Sequence, residues 1–322
     1  MSIHNLRKLV HEDFKAVNDL IIQNSQSTIN LVSDLSNHLI QSGGKRIRPL
    51  LVLLTSRACG YLEDKHIILA TMIEFFHTAT LLHDDVIDES TLRRGRETAN
   101  QIWGSKASIL VGDYLFTRYM QLMIDVGDLN IMRVLTDMAY QIGCGEIKQL
   151  ANRHNPVLTV EDYFDVIRSK TSLLFAASAQ ISAILSQASP SVEQSLFTYG
   201  LHVGNAFQLT DDALDYCSDA QTLGKNIGDD LADGKATMPL LYALQKGTAV
   251  QQQTIRESLI EGSLARLPDV ITAITETGAI EYTKQLAEQE IDKALSALES
   301  LNNSIYKEAL IELAKYATLR DH

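Results

Sequence analysis

The chain has 322 residues, 45% of them hydrophobic, and a formal net charge of −12. That length allows a large buried core, and the negative charge argues against a nucleic-acid-binding face, which would be basic. The three cysteines, Cys59, Cys144 and Cys217, lie far apart without CxxC spacing, which predicts neither a disulfide framework nor a zinc site. These totals indicate a reduced, cytoplasmic protein.

Helical periodicity begins near the N-terminus, where the pattern predicts an amphipathic helix rather than a signal or transit peptide. The apolar positions of this helix are Leu6, Val10, Phe14, Val17 and Ile21. A second helix is predicted at about 27–41, ending at SGGK, and Pro49 suits the first turn of a third. Further helices are predicted at about 64–89, 106–126, 129–152, 160–188 and 191–217, with shorter ones to the C-terminus.

The longest weakly polar stretch, TSLLFAASAQISAILSQAS, contains Gln180, Gln187 and several serines. These polar residues favour a buried helix over a transmembrane span. No stretch shows the alternation of a strand, and no Gly/Ser-rich linker divides the chain. The pattern therefore predicts a single all-α domain over residues 1–322.

Two acidic stretches, LLHDDVIDE (81–89) and QLTDDALDY (208–216), share the spacing DDxxD at the end of an apolar helical run. On a helix, positions i and i+4 lie about 40° apart, so the first and last aspartates of each motif share a face. The six acids are Asp84, Asp85 and Asp88, then Asp211, Asp212 and Asp215. Clustered carboxylates suit Mg²⁺, which shares such ligands with substrate phosphates. Two solvated acidic helix ends are the alternative interpretation.

Basic residues cluster beside both acidic motifs in a chain that is negative overall. They are Lys45, Arg46 and Arg48 in GGKRIRP, Arg93, Arg94 and Arg96 in LRRGR, Lys170 in SKT, and Lys225 and Lys235 after the second motif. Taken singly, each is an ordinary surface charge. Together they indicate an anionic ligand, a diphosphate, held between metal ions and cations.

The motifs GGKRxRP, DDxxD with RRG, KT, FQxxDDxxD, GKxxGxD and GKxT occur in that order and resemble those of the trans-polyprenyl diphosphate synthase family. The resemblance covers nearly the whole chain and is strongest to the long-chain bacterial members. It implies the isoprenoid synthase fold, in which long antiparallel helices surround a deep cavity. It also implies a prenyltransferase that adds isopentenyl diphosphate repeatedly to an allylic primer, farnesyl diphosphate, to give about forty carbons for a quinone (ubiquinone) side chain.

The same resemblance implies roles for individual residues. The six motif aspartates are expected to bind Mg²⁺, as three ions per site, with Mn²⁺ as an alternative. The residues expected to contact the allylic diphosphate are Arg93, Lys170, Lys225 and Lys235. The residues expected to bind isopentenyl diphosphate are Lys45, Arg48, His77 and Arg94, while Thr171 and Gln208 line the reacting centre. Asp84, Asp85, Asp88, Asp211, Asp212, Lys170 and Lys225 form the expected catalytic set.

Further expectations follow from the resemblance and from the sequence itself. The protein is expected to form a homodimer, with no transmembrane segment, no nucleic-acid partner and transient membrane contact for product release. Glu97 departs from the family, which often has proline there, and it leaves the role of Arg96 open. His83 is predicted to pack between helices rather than to bind substrate.

Product length should depend on side chains below the first motif. Ala79 and Thr80 lie about one helical turn before Asp84 and are both small. In the family that the chain resembles, bulky aromatic residues there stop elongation early, so the resemblance implies an open shaft and a long product. Phe76 and Met123 are the candidates for the lower limit of the shaft. Ordinary core packing is the alternative for each of them.

Four other functions are weighed against this one. A shorter-chain (farnesyl or geranylgeranyl) synthase would share all the motifs. A class I terpene cyclase would lack the second DDxxD and GGKRIRP, and a non-catalytic synthase subunit would lack motif acids. A phosphohydrolase of the HD type would need histidine ligands that the scattered histidines do not provide.

Overall fold

The computed structural model describes residues 3–41, 44–93, 95–217 and 227–319. Most of these residues are helical, which confirms the all-α prediction. The α-helices in these ranges are α1 (Ile3–Leu9), α2 (His11–Ser25), α3 (Asn30–Gln41), α4 (Ile47–Ala58), α5 (Lys65–Ile87), α6 (Ala99–Trp103), α7 (Ser105–Val126), α8 (Leu129–Ala151), α9 (Val160–Ile167), α10 (Leu173–Leu185), α11 (Pro190–Leu214), α12 (Asp229–Ala232), α13 (Met238–Lys246), α14 (Ala249–Glu261), α15 (Leu267–Glu276), α16 (Ala279–Ala297) and α17 (Ile305–Thr318).

Local sequence explains several helix ends. Pro49 lies in the first turn of α4, as predicted, where its missing N–H group would have no helical partner. Gly127 ends α7 in the left-handed conformation that glycine adopts without strain. Thr159 and Asp162 form a capping box at the start of α9, each side chain bonding the other's backbone N–H group.

The predicted continuous helix at 160–188 is wrong in its middle. Helix α9 is followed by a π-helical turn at Arg168–Ser172, and α10 begins only after this turn. A π turn contains one residue more than an α turn. The hydrophobic periodicity of a long segment does not reveal one extra residue in a single turn.

A short β-ribbon, absent from the prediction, connects α5 to α6. Strands β1 (Leu92–Arg93) and β2 (Arg96–Glu97) pair antiparallel, with Leu92 opposite Glu97. Gly95 in the turn has φ of +72°, a backbone conformation that residues other than glycine rarely adopt. Each strand has only two residues, too few to produce an alternating pattern.

Contacts within the chain divide it into two compact units. The first contains the described residues of 1–136, 174–198 and 297–313. Helix α5 is central to this unit, because it packs along α7 and also against α4 and α2. Its side chains from Leu69 to Ile73 are all buried, so most of the circumference of this helical segment lies in the core.

The second unit contains the described residues of 137–173, 199–296 and 314–322. Helix α9 and the π turn pack together, and α9 also contacts α13. Helices α13, α14 and α15 form a further group of mutual contacts. The expectation of one domain over residues 1–322 stays a prediction.

Helix α10 is the weakly polar stretch noted in the sequence. Residues 174–179 are all buried, as predicted for a core helix. Ser178 and Ser182 satisfy their hydroxyl groups by donating to backbone carbonyls four residues earlier. No helix in the described ranges has the length and apolarity needed to cross a bilayer. Cys59, Cys144 and Cys217 are free thiols in this structure.

Candidate active site

The first acidic motif lies at the C-terminal end of α5. Asp84 is in the last helical turn, and Asp88 caps the helix, with its N–H group donating to the Asp84 carbonyl at 2.8 Å. The i to i+4 relationship predicted for these two aspartates is therefore retained, and both are partly exposed. His83 turns toward α7, where Nε2 lies 3.2 Å from the Ile109 carbonyl oxygen, as expected of a packing residue.

The middle aspartate of this motif has a different environment. Asp85 is 1% exposed and accepts a bidentate interaction from Arg93, with Nη2 at 2.6 Å and Nε at 3.0 Å from Oδ1. Asn100 Nδ2 donates to the backbone carbonyls of Asp85 and Ser90, both at 3.1 Å. The buried carboxylate thus attaches the β-ribbon to α5 and fixes the direction of Arg93.

Two residues predicted to bind isopentenyl diphosphate lie next to each other in the first unit. Arg48 Nη1 is 3.0 Å from His77 Nε2, and the Arg48 guanidinium lies 4.5 Å from the centre of the Phe175 ring. The Lys45 backbone carbonyl accepts a hydrogen bond from Arg7 Nη2 at 2.7 Å. Arg94, the fourth member of the predicted set, lies outside the described residues.

Three of the four predicted chain-length residues are buried along α5 and α7. Ala79 is 1% exposed, and the half-buried Thr80 donates its hydroxyl to the His77 carbonyl at 2.9 Å. The Phe76 ring lies 5.2 Å from the Tyr119 ring and 6.0 Å from the Phe116 ring.

Two residues of α7 lie in the region predicted to limit chain length. One of them, the predicted Met123, is buried. Tyr119 was missed from the sequence, although its place four residues before Met123 on the same helix pointed to it. The chain-length role of these residues stays a prediction.

The second acidic motif ends α11 in the second unit. Asp211 lies in the last helical turn, and Asp215 follows the helix, with its N–H group donating to the Asp211 carbonyl at 3.1 Å. Asp215 Oδ2 in turn accepts from the Asp230 N–H group at 3.3 Å. Asp230, the last residue of the GKxxGxD motif, is therefore held beside the second acidic motif by its backbone.

Both oxygens of the middle aspartate, Asp212, accept hydrogen bonds from protein donors. Tyr163 Oη donates to Oδ2 at 2.5 Å, and Gln208 Nε2 donates to Oδ1 at 2.8 Å. Burial raises the pKa of Asp212 well above the usual carboxyl range, and the nearby Asp230 charge raises it further, although both hydrogen bonds act in the opposite direction. Burial also raises the pKa of Tyr163, which therefore keeps its proton to donate.

The π turn presents two predicted site residues to neighbouring helices. Lys170 Nζ contacts Glu146 Oε2 at 2.9 Å and Gln149 Oε1 at 3.0 Å, both on α8. Thr171 Oγ1 donates to Gln208 Oε1 at 2.8 Å, so Gln208 links the π turn to Asp212. Single π turns occur frequently at functional sites. Glu146 and Gln149 were missed, because their contact with Lys170 is long-range in sequence.

The loop after the second motif carries the last predicted cation. The Lys235 N–H group donates to the Asp230 carbonyl at 2.8 Å, and Nζ contacts Asp233 Oδ2 at 2.7 Å. His154 supports this loop: its N–H group donates to the Gly234 carbonyl, and its Nδ1 lies 2.9 Å from the Leu259 carbonyl. Lys225 lies outside the described residues.

The donor atoms of both motifs fit a hard cation. All are carboxylate oxygens, which Mg²⁺ prefers, and each motif ends a helix at its C-terminal end, where the helix dipole favours positive charge. Among the residues that the structure describes, no three acidic, histidine or cysteine side chains converge as a ready-made metal site. Mg²⁺ needs no such cage, because waters and substrate phosphates complete its coordination.

Comparison with known proteins gives consistent matches. The family model described as polyprenyl synthetase matches residues 29–274. Octaprenyl diphosphate synthase of Escherichia coli (strain K12) is 45% identical over 322 residues, covering 100% of both chains. The all-trans-nonaprenyl-diphosphate synthase (geranyl-diphosphate specific) of Rhodobacter capsulatus is 43% identical, over 96% of this chain and 95% of that protein. The crystal structure of a polyprenyl synthase from Caulobacter crescentus CB15, complexed with calcium and isoprenyl diphosphate, matches with a TM-score of 0.96 at 39% identity, over 100% of this chain and 98% of that one.

Proposed function

This chain belongs to the polyprenyl synthetase family, and on that basis we propose that it is a long-chain all-trans-prenyl diphosphate synthase. It adds isopentenyl diphosphate repeatedly to an allylic diphosphate, with farnesyl diphosphate as the expected primer. The expected product is octaprenyl diphosphate, with about forty carbons. The relative from Escherichia coli that bears that name aligns with this chain over its full length.

One observation carries the proposal at the level of the site. In each unit, hydrogen bonds link an acidic motif at a helix end to the element that carries a cation expected to bind diphosphate. Asp85 holds Arg93 in the first unit, and Asp212 is linked through Gln208 to the turn that contains Lys170 in the second. This pairing of carboxylates with cations suits a ligand that is both metal-bound and anionic.

The candidates for holding Mg²⁺ are the six motif aspartates, Asp84, Asp85, Asp88, Asp211, Asp212 and Asp215. When bound, Mg²⁺ acts as a Lewis acid on the leaving diphosphate. Protein donors already orient the carboxylates of Asp85 and Asp212. The predicted count of three ions, with Mn²⁺ as an alternative, belongs to the same proposal.

The remaining site residues bind and orient the two substrates. Arg93, Lys170 and Lys235 donate hydrogen bonds to the allylic diphosphate, as charge-assisted donors that stabilise its growing negative charge. Lys45, Arg48 and His77 bind isopentenyl diphosphate and align its double bond with the allylic carbon. Apolar walls below Asp84 exclude water from the allylic cation.

Two further statements complete the proposal. Small side chains at Ala79 and Thr80 leave the chain room to grow, with Phe76 and Met123 at the lower limit. A homodimer accounts for the large apolar side chains exposed on α7 and α8 in this single chain. These side chains include Leu110, Ile124, Tyr140 and Ile147, each at least 64% exposed. Cytoplasmic location and brief membrane contact remain predictions.

The reaction type is tested by incubating purified protein with farnesyl diphosphate, radiolabelled isopentenyl diphosphate and Mg²⁺. Label appearing in lipids longer than the primer supports a synthase. Release of diphosphate with an unlabelled cyclic hydrocarbon would instead support the class I terpene cyclase. Omitting Mg²⁺ in a parallel reaction tests the metal requirement.

A further inference from the structure

A chain of buried hydrogen bonds lies behind the π turn in the second unit. Ser172, the last residue of the turn, donates its hydroxyl to Asn205 Oδ1 on α11 at 2.7 Å. Asn205 Nδ2 donates to Glu290 Oε2 on α16 at 2.7 Å. Ser172, Asn205 and Glu290 are 0%, 1% and 5% exposed, so these bonds form in a low-dielectric interior.

Glu290 determines the orientation of the Asn205 side chain. A carboxylate only accepts hydrogen bonds, so the NH₂ group of Asn205 must face Glu290 and its carbonyl oxygen must face Ser172. His202 Nδ1, 2.7 Å from Oε2, and Lys293 Nζ, 2.6 Å from Oε1, also contact the carboxylate. The buried charge is therefore compensated, and the amide has one favourable orientation.

The backbone around these residues is packed too closely for substitution. A Cβ atom added to Gly204 on α11 would lie 2.5 Å from Ser172 Cα and 2.8 Å from its Cβ. Glycine thus allows α11 to approach the π turn directly. The neighbouring residue, Asn205, then reaches the Ser172 hydroxyl.

A π turn is uncommon because its backbone hydrogen bonds are less favourable than those of an α-helix, and it persists where the surroundings stabilise it. Here Thr171 bonds Gln208, and Ser172 bonds Asn205, three residues earlier on α11. The two contacts fix the last two residues of the turn. Lys170 immediately precedes these two residues, so the direction of its side chain depends on the same two hydrogen bonds.

We propose that Asn205 and Glu290 are positioning residues for Lys170. By holding Ser172 they keep the turn in the π conformation, which directs the Lys170 ammonium toward the diphosphate. Neither residue touches the substrate. This inference rests on the proposed function, because it assigns Lys170 to a diphosphate.

The test compares Ser172→Ala and Asn205→Leu with Thr283→Val. Thr283 lies on α16 with Glu290, is fully buried, and donates its hydroxyl to the Ala279 carbonyl of its own helix, so it controls for the loss of a buried hydroxyl. Each variant is also made together with Lys170→Ala. Calorimetry measures the affinity for inorganic diphosphate in Mg²⁺, and thermal melting checks that each variant is folded.

Ser172→Ala and Asn205→Leu should each weaken diphosphate binding about ten-fold, the equivalent of one hydrogen bond. Thr283→Val should leave the affinity unchanged. In the Lys170→Ala background the two variants should have no further effect, because they act through the lysine. The inference would be overturned if Ser172→Ala or Asn205→Leu weakened diphosphate binding further in the Lys170→Ala background. It would also be overturned if these two single variants bound diphosphate as tightly as Thr283→Val.

Elongation by the wild-type protein is measured separately with labelled isopentenyl diphosphate. Absence of elongation would contradict the proposed function, whereas additive binding effects would contradict only the role of Asn205 and Glu290. If Asn205→Leu does not fold, Ser172→Ala alone tests the positioning role. This substitution removes a single oxygen atom and leaves the hydrogen bonds of Glu290 in place.

Discussion

Tyr163 donates its hydroxyl hydrogen to Asp212 across 2.5 Å, and the two residues lie 49 positions apart in the chain. The contact joins α9 to the second acidic motif on α11. It occupies one carboxylate oxygen of Asp212, while Gln208 occupies the other. The middle aspartate is therefore oriented by the protein before any ligand arrives.

Replacing Tyr163 with phenylalanine removes this donor while keeping the ring. We expect the Mg²⁺ concentration for half-maximal activity to rise about ten-fold, because residues that orient metal-site carboxylates commonly contribute that much. Tyr242→Phe is the matched control, since Tyr242 stacks on Tyr282 with ring centres 4.0 Å apart and the stack survives the change. An unchanged Mg²⁺ requirement in Tyr163→Phe would contradict this role.

Asp85→Asn should destabilise the protein by about 2 kcal/mol, because it weakens the bidentate interaction with Arg93, a partly exposed partner. Urea unfolding of the variant measures the effect. Arg96→Ala, on the exposed second strand of the same ribbon, should leave the free energy of unfolding nearly unchanged. Equal effects from the two variants would mean that the Asp85–Arg93 pair does not hold the ribbon.

Glu290 should make stability depend on acid pH. Burial alone would raise its pKa, but hydrogen bonds from His202, Lys293 and Asn205 outweigh burial and lower the pKa to about 2. A lowered pKa stabilises the folded state above the unfolded value of about 4.3, and that contribution is lost as pH falls toward 2.

The size of this contribution follows from the shift. The difference corresponds to roughly 3 kcal/mol at neutral pH. Urea unfolding at several pH values should show that Glu290→Gln destabilises the protein at pH near 7, with a difference from wild type that shrinks steadily below about pH 4. A difference that stays constant with pH would contradict the assignment.

Gly204→Ala and Gly143→Ala should have opposite effects on stability. A Cβ at Gly204 would meet Ser172 Cα at 2.5 Å, and such overpacking costs about 1–3 kcal/mol. At Gly143, within α8, a Cβ would meet nothing within 4 Å, so alanine should stabilise the helix by about 0.5–1 kcal/mol. Thermal unfolding distinguishes them, and a stabilised Gly204→Ala would show that α11 does not approach the π turn so closely.

Much of this arrangement could be predicted from the sequence, and the part that could not has a physical cause. Helix periodicity and DDxxD spacing are local, so the ends of α7 and α8 and the i to i+4 relationship of Asp84 and Asp88 were predicted. The π turn, the Tyr163–Asp212 contact and the Asn205–Glu290 contact depend on helices brought together by folding. Nothing in the residues near Tyr163 indicates a partner 49 positions away.

Product length should change with substitutions near the predicted shaft. Ala79→Phe should shorten the product, since an aromatic ring one turn below Asp84 fills space for the growing chain. Met123→Ala should lengthen it by removing buried volume. Met120→Ala, at a 44% exposed position on the same helix, is the control and should leave the product unchanged. A longer product from Met120→Ala alone would place the lower limit elsewhere.

The central claim is tested most directly by the length of the wild-type product. Purified protein is incubated with farnesyl diphosphate, excess isopentenyl diphosphate and Mg²⁺, and the products are separated after phosphatase treatment. We expect a ladder that ends near forty carbons, the length of an octaprenyl chain. A ladder that stops at fifteen to twenty carbons would contradict the long-chain assignment and the open shaft beside Ala79 and Thr80, while leaving the chain-elongation chemistry intact.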